Sequence, residues 1–76
     1  MSIEKQLIEE TNKWKNRIEA KIKEIKSLSE EEKKTLANIN AYIKDSEYFL
    51  KRGDLIRAFE AVIWAWALYE INFEKR

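Results

Sequence analysis

Acid–base or metal chemistry in this 76-residue chain would have to begin at its clustered carboxylates, Glu9-Glu10 and Glu30-Glu31-Glu32. Neighbouring residues on a helix point about 100° apart, so neither cluster converges on one proton or one metal ion. A run of glutamates behind a serine suits the positive end of a helix dipole instead. Lysine can act as a nucleophile where apolar surroundings depress its pKa, yet no lysine here lies inside an apolar run. The chain has no His and no Cys. Imidazole bases, thiolate nucleophiles, disulfides and His/Cys zinc sites are therefore excluded. A single glycine excludes a P-loop and a G-x-G-x-x-G turn. The sequence reads as a non-enzyme, with no cofactor and no metal expected.

Charge narrows the partners further. Fifteen basic and fourteen acidic residues leave a formal net charge of +1. Domains that track phosphates normally carry a clear basic excess, so a nucleic-acid partner is not expected. The charges are concentrated in residues 1–52, while residues 53–76 are rich in apolar and aromatic side chains. The longest apolar run, Ala61 to Tyr69, falls far short of the roughly 20 residues that a membrane-spanning helix requires. Met1 to Lys5 lead directly into a charged helix, without the apolar stretch of a signal peptide. The expectation is a soluble, cytoplasmic protein without membrane contact.

No proline and one glycine leave long helices as the default. The pattern predicts a single domain over residues 1–76: an all-α, up-down-up three-helix bundle with helices at about 3–28, 30–52 and 55–73. Ser2 can cap the first helix, whose apolar positions Ile3, Leu7, Ile8, Trp14, Ile18, Ile22, Ile25 and Leu28 follow the helical period. Thr11 and Lys21 interrupt that seam. Glu9–Lys13 and Glu19–Lys23 have the spacing of favourable i,i+4 pairs. Ser29 with Glu32 forms a capping-box signature, which predicts a very short connection between helices 1 and 2. In helix 2, Leu36, Ile39, Ile43, Ser46 and Leu50 make the seam, widened by Tyr42 and Phe49. Gly53 fits a left-handed helix stop, and Asp54 the cap of helix 3. At the bend, Arg57 can reach Asp45 or Glu47 as a surface ion pair worth roughly 0–1 kcal/mol.

The predicted core is Leu7, Trp14, Ile18, Ile25, Leu36, Ile39, Ile43, Leu50, Leu55, Phe59, Val62, Trp66 and Tyr69. Ala58, Ala61 and Ala65 on helix 3 would admit a close neighbour. The opposite side of helix 3 is unusual, because Ile56, Ile63, Trp64, Ala67 and Ile71 share it with Arg57, Glu60, Glu70 and Glu74. A helix that is apolar nearly all round is normally buried nearly all round, and two neighbours cannot surround a third helix. Either Ile63 and Trp64 lie along a groove edge beneath Lys or Arg stems from helices 1 and 2, or Ile56, Ile63, Trp64, Ala67 and Ile71 form an interface. A protein partner is then expected, most simply a second copy in a homodimer. A pocket for an apolar small molecule is the third reading of this sector.

Residues 42–70 carry a pattern of Tyr42, Asp45, Tyr48-Phe49-Leu50, Gly53-Asp54, Arg57-Ala58-Phe59-Glu60 and Ala65-Trp66. This stretch resembles an archaeal family of domains of unknown function, number three hundred and fifty-seven. The resemblance covers the last two helices, and helix 1 is only generically similar. It implies a short helical bundle of archaeal type with no assigned activity, and it sets Asp45, Gly53, Asp54, Arg57 and Glu60 around the second turn. The layout is also similar to HEPN-type helical domains. Active HEPN ribonucleases use an Arg-x4-His motif, which a chain without His cannot supply, so that likeness implies at most a non-catalytic helper of a nucleotide- or RNA-handling enzyme.

Overall fold

The structure, a computed structural model, describes residues 2–74. Three α-helices, α1 (Ile3–Lys23), α2 (Glu30–Lys51) and α3 (Leu55–Tyr69), lead into a π-helical turn at Glu70–Glu74. They form a rod of 42 × 19 × 17 Å. The all-α three-helix bundle expected from the periodicity is what forms. Each helix starts where its cap lies. The Ser2 hydroxyl accepts from the Lys5 amide at 3.1 Å. Ser29 and Glu32 complete a reciprocal capping box, with the Glu32 amide donating to Ser29 and the Ser29 amide donating to the Glu32 carboxylate.

The turn between α2 and α3 is a Schellman closure around Gly53 at φ +78°. The Gly53 amide donates to the Leu50 carbonyl at 3.1 Å, and the Asp54 amide to the Phe49 carbonyl at 2.9 Å. Asp54 then caps α3 by accepting from the Arg57 amide.

The end of α1 departs from expectation. The helix stops at Lys23 rather than Leu28, and residues 24–29 form an irregular connection. Glu24 and Ile25 donate to the carbonyls of Lys21 and Ile22, so the last turn tightens before the chain leaves the helix. A helix reaching Leu28 would leave no length for the chain to reverse into α2, whose start is fixed by the Ser29 cap. Ile25 and Leu28 still pack against the core, from the irregular connection. The other boundary change is milder. Beyond Tyr69 the chain continues as a π turn, which seats Phe73 in the core with its ring stacked on Tyr69 at 5.8 Å.

α3 is the central element. It packs against α2 most extensively and against α1 next, while α1 and α2 meet little. One core cluster contains Ile18 from α1, Ile39 and Ile43 from α2, and Ala65, Tyr69 and Phe73 beyond them. Val62, also fully buried, completes the predicted interior. Leu7, Trp14, Ile25, Leu36, Leu50, Leu55, Phe59 and Trp66 are half-buried at its edges. Small residues govern the α2–α3 contact. Ala58 and Ser46 are both fully buried, and the Ser46 hydroxyl donates to the Ala58 carbonyl at 2.8 Å.

Thr11 does not interrupt the seam but is fully buried in it. Among the described residues its hydroxyl oxygen has no hydrogen-bond partner. Because an unmet buried hydroxyl costs about 1–3 kcal/mol, the nearly isosteric Thr11→Val should stabilise the fold by about 1 kcal/mol in urea unfolding. A loss of stability would mean that the hydroxyl is satisfied in solution.

Candidate functional site

The outward face of α3 carries the candidate site. Ile56, Ile63, Trp64 and Ile71 are 65, 45, 59 and 68% exposed, and Ala67 is half-buried among them. They share one side of the helix because Ala58, Ala61, Val62 and Ala65 occupy the opposite side and are buried. The expected wide, apolar outer sector is therefore present as an open surface.

Two shallow grooves flank this face. On the α1 side, Ile63, Ala67 and Glu70 face Trp14 and Trp66. These two indoles belong to the packing. They meet edge to face at 5.8 Å, the Trp66 Nε1–H donates to the Trp14 carbonyl at 2.9 Å, and the Trp14 Nε1–H donates to Glu10 at 3.1 Å. On the α2 side, Trp64 stacks on Tyr42 with centroids 6.4 Å apart and planes 20° apart. Asp45, Phe49, Arg57 and Glu60 line the same groove.

Most residues singled out in the sequence thus converge on one place. Asp45, Arg57 and Glu60 line the α2-side groove with Trp64, while Gly53 and Asp54 build the turn at its end. Tyr42 and Phe49 belong to it too; in the sequence they stand as a widened seam and as part of the family pattern. Their heptad spacing was the available signal, but it does not tell which flank of α2 meets α3.

The ion pairs differ from those expected. Arg57 pairs with Asp54 at 3.6 Å, one turn away on its own helix, rather than with Asp45 or Glu47. Glu47 is held by Lys15 at 3.0 Å, which ties α2 to α1. Lys13 pairs with Glu10 rather than Glu9, and no Glu19–Lys23 pair forms among the described residues.

The aromatic covering also separates the two readings of Trp64. Lys13 and Arg17 lie over the Trp14 ring, at 5.4 and 4.7 Å, and Arg52 over Tyr48 at 5.4 Å. Among the described residues no cation lies over Trp64. Trp64 is half open at the groove edge, with Tyr42 stacked against it, so Lys or Arg stems do not bury it. Among the described residues no group of three or more acidic side chains is placed to hold a metal ion. No helix there is long and apolar enough to cross a membrane.

Residues 13–72 match the family model described as "Protein of unknown function (DUF357)". The chain belongs to the DUF357 family. The crystal structure of protein AF1782 from Archaeoglobus fulgidus, which carries the same family model, is similar with a TM-score of 0.83 and 51% sequence identity. That similarity covers 97% of this chain and 92% of the archaeal one. Among curated proteins there is no match. DUF357 membership agrees with the resemblance carried by residues 42–70 and extends it to the second half of α1. It brings no catalytic assignment, so the function is argued from the surface.

Proposed function

We propose that this DUF357 protein is a non-catalytic interaction module that engages a protein, a second copy or another chain, through the outward face of α3. The observation that carries the reading is Trp64, 59% exposed and flanked by exposed Ile56, Ile63 and Ile71 on one helix face. Each large apolar side chain left in water forgoes roughly 1.5–3 kcal/mol of burial, and several together on one face mark a binding surface rather than scattered exposure. Tyr42 holds the Trp64 ring in place, so little side-chain freedom is lost when a partner arrives.

Wild type and Trp64→Glu can be compared by sedimentation velocity at micromolar concentration and by affinity capture from cells that produce the protein. The expected result is an association, either a dimer or a retained protein, that is present in wild type and weakened at least about tenfold in Trp64→Glu with helicity unchanged. An introduced carboxylate at the centre of an apolar contact readily costs that much. Monomers for both, with no partner retained, would overturn the reading.

A further inference from the structure

The α2-side groove specifies what kind of protein fits. Its floor is aromatic, with Trp64 and Tyr42 stacked and Phe49 at one end. Its acids are Asp45 from α2 and Glu60 from α3, both exposed. Neither forms an ion pair or a side-chain hydrogen bond among the described residues. Among the described residues the one cation lining the groove, Arg57, is paired with Asp54 at 3.6 Å. Farther along α2 the surface continues past Ala41 and Asn38 to Leu68, with no lysine or arginine among the described residues that line it. Arg57 is also the only cation between Leu55 and Glu74, against Glu60, Glu70 and Glu74.

Two other rings carry cations of this chain, the half-buried Trp14 with Lys13 and Arg17 and the exposed Tyr48 with Arg52. Among the described residues no cation lies over Trp64, and in its groove the carboxylates of Asp45 and Glu60 outnumber Arg57. A second copy placed on the same face by a two-fold axis would set one acidic face against another, and like charges across an interface oppose binding. A phosphate backbone meets the same opposition. An incoming cation instead meets two unpaired carboxylates and the faces of two π-rings.

Resting on the reading of α3's outward face as an interaction surface, the geometry points to a basic amphipathic helix of another protein as the occupant. Its apolar residues lie on Trp64 and Ile63, and its Lys or Arg side chains reach Asp45 and Glu60 and cross the Trp64–Tyr42 pair. This is helix-in-groove recognition with charge setting the choice of partner.

The test uses two synthetic amphipathic peptides of about four helical turns, one of leucine and lysine and one of leucine and glutamate. Each is titrated into the full, isotope-labelled chain and followed by NMR. The lysine peptide should shift the signals of Tyr42, Asp45, Glu60 and the Trp64 indole, and added salt should weaken it. Its affinity should fall about tenfold in the Asp45→Asn/Glu60→Gln double variant, whose exposed, unpaired carboxylates leave the fold intact when neutralised. The glutamate peptide should bind at least tenfold more weakly than the lysine peptide. Equal binding of the two, binding of neither, or shifts confined to α1 would overturn the inference. A wild-type dimer dissociated by Trp64→Glu would also overturn it while leaving the α3 face as an interaction surface. Loss of both dimer and retained protein in the preceding experiment would remove the surface itself.

Discussion

Replacing Trp66 by alanine should remove a large share of this protein's stability. Trp66 makes two aromatic contacts: its ring meets Trp14 of α1 and Tyr69 of its own helix, each at 5.8 Å, and Tyr69 passes the stack on to Phe73. Its indole N–H is also the hydrogen bond that fastens α3 to the α1 backbone. Truncating a large aromatic in such a setting costs about 3–5 kcal/mol. A chain of this size has in total roughly 4–11 kcal/mol, at about 0.05–0.15 kcal/mol per residue. Trp66→Phe separates the contributions, because it keeps a ring but removes the donor, and should cost about 1–2 kcal/mol. Urea unfolding followed by far-ultraviolet circular dichroism gives both values. A Trp66→Ala protein within about 1 kcal/mol of wild type would show that α1 is held by other contacts.

Enlarging Ala58 should be nearly as damaging, by the opposite mechanism. Ala58 has no exposed surface, and its carbonyl accepts the Ser46 hydroxyl at 2.8 Å, so the two backbones already lie as close as small side chains permit. In Ala58→Leu, three added carbons have no space, and α3 must move away from α2. Overpacking costs about 1–3 kcal/mol, and separation also strands the buried Ser46 hydroxyl, which adds about 1 kcal/mol. A total near 3 kcal/mol is expected in the same unfolding assay. Ser46→Ala, which keeps the spacing and removes only the hydrogen bond, should cost about 1 kcal/mol. If the leucine variant were as stable as wild type, the small residues would not set the approach of the two helices.

What could be read from the sequence follows from how local its physical cause is. Ser29 with Glu32, and Gly53 with Asp54, act within one turn of chain, and their caps form as read. The stop at Lys23 has no local marker, since neither glycine nor proline stands there. It arises because the chain must reverse before a start fixed at Ser29. Thr11 looked like a flaw in an apolar seam, yet the core accepts it with its hydroxyl unmet, because side-chain volume outweighs one polar atom at that position. The open face of α3 was legible because a helical wheel counts neighbours. The groove beside it was not, since a wheel treats one helix at a time. Only the packed angle of α2 on α3 brings Tyr42 onto Trp64 and puts Asp45 and Glu60 along one groove.

The central position of α3 couples recognition to survival of the fold. α1 and α2 meet little and are both organised by α3, so the two outer helices cannot persist as a pair once it leaves. Whatever seats on α3's outer side binds the folded chain alone and draws on the free energy of the entire molecule. At a ligand concentration of about one hundred times Kd the folded state gains roughly 2.7 kcal/mol, a large share of a small protein's total. The abundance of this protein in a cell would then follow the supply of its partner.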